Sequence, residues 1–153
     1  MRGARLVVRT FERYTVPVAA AGITEFYNMN KGNRLLRMHF KTADMDGLEI
    51  VRDRLKIYEL DKDRNDYLLT RGGRAAQTGY FHFDPTKQGF PIIDSMSTAA
   101  DNLVFRLNMS AGGNVPILVE RLDTSMQRSW EGGNSAAYAA SAPQRRRRGI
   151  GRG

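Results

Sequence analysis

Hydrophobic and polar positions alternate over short stretches of this chain, with the period of a half-buried β-strand. Residues 5–18 are rich in β-branched and aromatic side chains. Residues 34–42 alternate more strictly, with Leu36, Met38 and Phe40 on one side and basic side chains on the other. The pattern predicts strands that turn one face toward a core and the other toward solvent.

Turn residues separate eight segments of this kind, and "DMDG" (44–47) is predicted to be one of the turns. The predicted strands are 5–18, 23–27, 34–42, 48–60, 78–84, 90–93, 102–109 and 115–122. Their spacing is typical of an all-β sandwich or barrel. The side chains expected on the inner faces are Leu36, Met38, Phe40, Phe81, Phe83, Phe105 and Leu107.

One segment does not follow the strand pattern and predicts a single short helix. "DKDRNDYLLTRGG" (61–73) begins with Asp61, a residue that favours the helix N-cap. It has no β-branched residue before Thr70 and stops at two glycines. We therefore expect a helix or helical turn near 61–70, with the glycines at its C-terminal end.

The formal net charge of +8 is unevenly distributed along the chain. Residues 132–153 contain five arginines and no acidic residue, so this segment contributes +5 and the preceding 131 residues contribute +3. Small residues and arginines cannot form a packed core. The sequence therefore predicts a β domain over 1–131, followed by a disordered basic tail over 132–153.

The arginines of the tail are the candidate polyanion-binding residues, namely Arg145, Arg146, Arg147, Arg148 and Arg152. Arginine outnumbers lysine 19 to 5 in the chain, which favours bidentate contacts to phosphate or carboxylate groups. Five like charges repel one another and add nothing to a core. Nucleic acid and an acidic membrane surface are the candidate partners. A tail that serves only solubility remains an alternative.

Residues that could support catalysis or bind a metal form no recognisable constellation. His39 and His82 each lie in the middle of a predicted strand, without the His-x-His spacing of a metal-dependent cupin. The acidic run "DKDRND" (61–66) lacks the glycine and glutamate of an EF-hand loop. There is no G-x-S-x-G elbow and no cysteine. We therefore expect no enzymatic activity, no metal site and no cofactor.

Four segments, taken in order, resemble a known family. They are "VPVAAAGITEFYNMNKGNRLLRMHF" (16–40), "LEIVRDRLKIYELDKDRNDYLLT" (48–70), "GYFHFD" (79–84) and "DNLVFRLNMSAGGNVPILVERL" (101–122). An initial strand and an Ala-Ala-Gly break lead into a short strand, two long strands, a polar helical segment and two adjacent strands. This order is similar to the N-terminal jelly-roll domain in the major coat proteins of tailless, membrane-containing icosahedral phages, the corticovirus-like lineage.

The resemblance implies a single eight-stranded jelly-roll sandwich and a role in the virion. Coat proteins of that lineage carry two jelly rolls in tandem, so a major coat protein and a penton or minor capsid protein both remain open here. The implied function is a capsid subunit that assembles in the host cytoplasm into an icosahedral shell. Its implied partners are further copies, other capsid subunits, and the viral genome or inner membrane through the tail.

Two alternatives to a capsid subunit, from other functional classes, remain open. The first is a non-viral nucleic-acid-binding β-barrel that would use the basic tail and exposed aromatic residues, for which Tyr80 and His82 share one strand face. The second is a carbohydrate-binding or metal-dependent jelly roll. The sequence shows neither the aromatic platform nor the ligand set that this second alternative requires.

Overall fold

The computed structural model describes residues 7–87 and 89–123, which form nine strands and two short helices. The strands are β1 (Val8–Val18), β2 (Gly22–Phe26), β3 (Arg34–Phe40), β4 (Met45–Arg52), β5 (Leu55–Asp61), β6 (Phe81–Phe83), β7 (Met96–Ser97), β8 (Leu103–Met109) and β9 (Gly113–Asp123). The helices are α1 (Lys62–Arg71) and α2 (Pro91–Asp94). The predicted tail and its boundary at residue 132 lie outside the described residues.

The strands form two antiparallel sheets. The first sheet has the order β1-β9-β3-β6, and the short strand β7 pairs with β3 at its side. The second sheet has the order β2-β8-β4-β5. Successive strands cross from one sheet to the other along most of the chain, which is the connectivity of a jelly-roll sandwich. The predicted all-β jelly-roll fold is confirmed.

The core lies between the two sheets and is built from large apolar side chains. All seven residues expected on the inner faces are buried, namely Leu36, Met38, Phe40, Phe81, Phe83, Phe105 and Leu107. Strand β3 departs from strict alternation because its pairing with β9 shifts register between Leu35 and Arg37. This bulge lets two successive leucines be buried, and Leu35, rather than Leu36, belongs to the central cluster.

Strands β1 and β9 pair along their whole length. The register runs from Val8 opposite Asp123 to Val18 opposite Gly113. The described part of the chain therefore begins and ends side by side, although Arg9 and its partner Glu120 are 111 positions apart. Strand β9 also pairs with β3, so it lies inside the first sheet and not at its edge.

Helix α1 closely matches the predicted helix. The Asp61 side chain accepts a hydrogen bond of 2.8 Å from the backbone N–H of Arg64, as an N-cap should. At the other end, the backbone N–H of Gly72 donates to the Leu68 carbonyl. Gly73 follows with φ of +73°, a conformation that favours glycine. The glycines of "TRGGR" thus end the helix.

The region 44–60 differs from the prediction in two places. The predicted strand over 48–60 is two strands, because the chain turns at Asp53 and Arg54 with φ of +50° and +69°. The predicted turn over 44–47 is also wrong. Met45 begins β4 and is fully buried, so this segment belongs to the sheet.

The predicted strand over 90–93 is also wrong, because these residues belong to helix α2 and the residue before it. Pro91 occupies the first helical turn, where a missing backbone N–H costs nothing. The Asp94 N–H donates to the Phe90 carbonyl, which closes this single turn. Ile92 and Ile93 are both exposed, so the apolar run here does not mark a core strand.

Candidate functional site

A groove of about 790 Å³ crosses the outer face of the first sheet. Its floor comes from β1, β3, β6 and β9, and the segment after α1 forms one wall. Its lining includes four cationic side chains, Arg13, Arg37, Lys41 and Arg74, beside the carboxylate of Asp84. Strand alternation places Arg13, Arg37 and Lys41 here because the opposite face of each strand is in the core, and Arg74 comes from the segment after α1.

Two histidines meet in the floor of this groove. His39 and His82 are register partners on β3 and β6, and their Nδ1 atoms are 2.8 Å apart. The other nitrogen of His39, Nε2, lies 3.2 Å from the Glu120 carboxylate. If His39 Nε2–H donates to Glu120, then His39 Nδ1 accepts and His82 Nδ1–H donates. Each of the two strand histidines thus bonds to a neighbouring side chain.

The environment of His82 favours its neutral form. Burial lowers the pKa of His82, and the nearby His39 lowers it further. The ring of Tyr80 stacks on His82 with 5.5 Å between ring centroids and an interplanar angle of 9°. This stacking limits the access of water to one side of the imidazole. The two imidazoles thus form a hydrogen-bonded pair on the outer face of the first sheet.

Two nearly buried carboxylates hold most of the arginines on this face. Asp84 lies 3.0 Å from Arg37 Nε and 3.2 Å from Arg74 Nε. Glu120 lies 2.7 Å from Arg9 Nη2 and 3.3 Å from Arg37 Nη1. Arg37 therefore bridges both carboxylates, and the network ties β1, β3 and β9 to the segment that follows β6.

Positive charge nevertheless exceeds negative charge on this surface. Arg13 and Lys41 make no hydrogen bond or ion pair through their side chains within the part of the chain that the structure describes. We define the basic face as the outer face of the first sheet with its charged groups Arg9, Arg13, Arg37, Lys41, Arg74, Asp84 and Glu120. Its five cations and two carboxylates give a net charge of +3, counted over described residues with both histidines neutral.

The outer face of the second sheet has the opposite character. We define the acidic face by its charged groups Glu25, Asp46, Glu49, Glu59, Asp61, Lys56 and Arg106. Five carboxylates and two cations give it a net charge of −3, again counted over described residues. Most of these groups line a smaller pocket of about 240 Å³.

The cations of the acidic face bridge some of its carboxylates. Arg106 lies 3.0 Å from Glu25 and 2.9 Å from Glu49. Lys56 lies 3.3 Å from Glu49 and 2.8 Å from Glu59. These surface pairs hold the side chains in place without cancelling the negative charge of the face.

The five predicted polyanion-binding arginines, Arg145, Arg146, Arg147, Arg148 and Arg152, lie outside the described residues. Within residues 7–87 and 89–123, no group of three His, Asp or Glu side chains could hold a metal ion. The acidic run at 61–66 has a structural role, since Asp61 caps α1 and Asp66 pairs with Lys62 at 2.7 Å. No helix in these ranges is long and apolar enough to cross a membrane.

The sequence pointed to the basic side of 34–42 but missed the groove. Alternation alone showed that Arg37, His39 and Lys41 share a face. It could not show that β6 and β9 bring His82 and Glu120 beside them, because strand pairing is not visible in the spacing. The described strands form two separate sheets rather than one closed barrel, so the barrel of the first alternative is not the fold observed.

Comparison with known proteins shows what this chain is similar to. The family model "Viral coat protein P2 C-terminal domain" matches residues 8–125. The solved structure of the major capsid protein P2 from Bacteriophage PM2 has 24% sequence identity and a TM-score of 0.65, covering 76% of this chain and 44% of that one. No curated protein sequence matches the chain.

Two further structures share the fold at lower identity. The STIV major capsid protein has a TM-score of 0.62 at 12% identity, covering 78% of this chain and 42% of that one. The PBCV-1 virus capsid has a TM-score of 0.53 at 7% identity, covering 77% of this chain and 49% of that one. The chain thus spans less than half the length of each of these three proteins.

The comparisons correct one point of the resemblance. The matching family model is a C-terminal domain, so the expected similarity to the N-terminal jelly roll is wrong. The resemblance rested on the order of strands and turns. Two jelly rolls in tandem share that order, so it cannot distinguish one half from the other. Because the family model covers most of the chain, this protein belongs to the family of viral coat protein P2 C-terminal domains.

Proposed function

We propose that this protein is a capsid subunit that self-assembles into an icosahedral viral shell, as a major coat protein or as a penton or minor capsid protein. The observation that carries the proposal is the family match over residues 8–125. The likeness to the PM2 major capsid protein is consistent with it at the level of fold. Assembly of this kind needs matched surfaces and no covalent chemistry.

The sandwich is suited to repeated lateral contacts. Its two sheets present broad outer faces on opposite sides of one packed core, and most strand backbone groups are already paired within the sheets. A contact between two different surfaces of identical subunits repeats from copy to copy and closes into a ring when the rotation allows it. Rings and closed lattices follow from such contacts.

We further propose that the basic tail over 132–153 binds a polyanion inside the shell, either the viral genome or the inner membrane. The support is its charge of +5 without any acidic residue. The contacting residues would be Arg145, Arg146, Arg147, Arg148 and Arg152. Arginines in such a segment would neutralise phosphates without reading sequence.

Negative-stain electron microscopy and sedimentation velocity of the purified full chain test assembly. The protein is first treated with nuclease, so that bound nucleic acid cannot hold copies together. We expect rings or closed particles that persist after this treatment. A strict monomer at every concentration contradicts the proposal, and particles that fall apart with nuclease favour a nucleic-acid-binding protein.

A further inference from the structure

We propose that the basic face of one copy docks on the acidic face of the next copy, in a repeated head-to-tail contact. This inference rests on the proposed function as a capsid subunit, and it names the surfaces through which the copies would meet. The two faces lie on opposite sides of the same sandwich, because each is the outer side of one of its two sheets.

Charge complementarity selects this arrangement over the alternatives. The basic face carries a net +3 and the acidic face a net −3 over the described residues. Complementary potentials speed encounter and fix orientation, whereas like charges brought face to face are strongly unfavourable. A two-fold contact through either face would bring together two surfaces of the same sign. The favoured pairing is therefore heterologous, which repeats from copy to copy.

The charges that remain without partners lie on both surfaces. Arg13 and Lys41 on the basic face, and Asp46 on the acidic face, make no side-chain hydrogen bond or ion pair within the described ranges. Glu59 pairs with Lys56, but its side chain remains 63% exposed. Arg13, Lys41 and Asp46 can therefore pair across a contact without breaking the networks inside one subunit.

Each face also has an exposed apolar side chain. On the basic face, Phe11 is 56% exposed and lies under the guanidinium of Arg9, 5.1 Å from its ring centroid. On the acidic face, Ile23 is 69% exposed and lines the smaller pocket. The attraction between the charges is screened by salt. Burial of apolar surface at these two points would add a favourable contribution that does not depend on charge.

Two charge-reversal variants of the full chain test the contact. Arg13→Glu with Lys41→Glu changes the basic face from +3 to −1, since each reversal shifts the charge by two. Asp46→Lys with Glu59→Lys changes the acidic face from −3 to +1. By sedimentation velocity at low salt, we expect each variant alone to self-associate about tenfold more weakly than the wild type, or weaker still.

Mixing the two variants gives the decisive measurement. In the mixture, the reversed basic face of one variant meets the reversed acidic face of the other, while the unchanged faces meet as in the wild type. We therefore expect association to return in the equimolar mixture and in the variant that carries all four substitutions. A change in the net charge of each subunit cannot explain this rescue. The net charge of each variant is the same alone and in the mixture, and neither variant associates alone.

A matched control distinguishes the effect of charges on the two faces from the effect of the net charge of the protein. Lys31→Glu with Arg71→Glu alters net charge by the same amount as the basic-face variant, at exposed positions in the β2–β3 loop and at the end of α1. We expect this control to associate like the wild type. Thermal denaturation of all variants confirms that each is folded before its association is compared.

The outcomes separate this contact from the proposed function. Closed shells that form equally well in both reversal variants would overturn the contact and leave the proposed function standing. Loss of association only in the acidic-face variant would also overturn it, since that face would then bind something else, such as the basic tail. Rescued association that yields open chains and never shells would keep the contact and contradict the function. A wild type that remains monomeric contradicts both.

Discussion

The contact between His39 and His82 constrains where a single proton can lie. Their Nδ1 atoms are 2.8 Å apart, so one must carry a hydrogen and the other must accept it. If both rings were protonated, two N–H groups would face each other across this distance. Burial, together with the neighbouring His39, lowers the pKa of His82. The folded state thus favours a neutral His82.

This lowered pKa predicts that stability falls in mild acid. The unfolded chain binds a proton at His82 near its ordinary pKa of 6.5, while the folded chain resists it. The contribution of His82 to the free energy of unfolding is therefore fully present above about pH 6.5. It is lost as the pH falls toward the lower pKa of the folded state. We expect the Tm of the wild type to fall between about pH 7 and pH 5.5. His82→Gln should flatten this dependence in thermal scans.

Tyr80→Phe is the control for this prediction, because it keeps the ring that stacks on His82 and changes no titrating group in this range. It should show the wild-type pH dependence. The chain has only two histidines, so few other groups titrate in this pH range. A His82→Gln variant with the wild-type slope of Tm against pH would refute the interpretation.

At the scale of elements, the turn between β4 and β5 is the least regular local feature. Asp53 and Arg54 both have positive φ, the geometry of a tight type I′ hairpin turn that usually contains Asn-Gly. The backbone of Asp53 is fixed by a 2.8 Å hydrogen bond from its N–H to the Asn102 carbonyl. Arg54 has no such role, so its strained backbone is not offset locally.

Replacing Arg54 by glycine should stabilise the fold. A left-handed conformation costs a non-glycine residue about 1–2 kcal/mol, and glycine removes this cost. Roughly half of the gain is lost again, because glycine has greater conformational freedom in the unfolded chain. We expect Arg54→Gly to raise the free energy of unfolding by about 0.5–1 kcal/mol in urea denaturation. Arg54→Ala removes the same side chain but keeps the strain, so it should gain nothing. Equal stability of the two variants would show that the turn is not strained.

The same turn leaves no mark in the pattern of hydrophobic and polar residues. Strict alternation predicted the buried face of β8 correctly, since period-two burial follows from strand geometry alone. In β3 it held for Met38 and Phe40 but missed the bulge that places Leu35, rather than Leu36, in the central cluster. It could not divide 48–60, because Asp53–Arg54 carries none of the glycine or asparagine that marks a tight turn. The groove on the basic face was missed for a different reason. His39 and His82 lie 43 positions apart, and only the strand order brings them together.

At the scale of the whole molecule, the tail is expected to act separately from the sandwich. Deleting residues 143–153 should leave the Tm nearly unchanged, because small residues and arginines cannot form a packed core. The deletion should weaken binding to nucleic acid or to anionic vesicles. For five phosphate contacts, the slope of log affinity against log salt should be at most about −3.5 on single strands and about −4.5 on duplex DNA.

A charge-matched variant controls this experiment. Replacing the five tail arginines by lysine keeps the charge and should keep most of the affinity, whereas replacing them by glutamine should act like the deletion. The two polyanion classes, measured side by side, show whether genome or membrane is preferred. A truncated chain that unfolds, or that binds both as tightly as the full chain, would refute the role of the tail.

The position of β9 between β1 and β3 has a consequence for how the chain folds during synthesis. The first sheet cannot be completed until its last strand has been made, because among the described strands only β9 pairs with β1. Until residues 113–123 emerge from the ribosome, β1 remains an unpaired strand whose free backbone groups can bond to another nascent chain. Contacts between such distant segments also make folding slow. A newly made copy therefore completes its first sheet only near the end of translation of this domain, and crowded synthesis on one messenger RNA brings unfinished copies together.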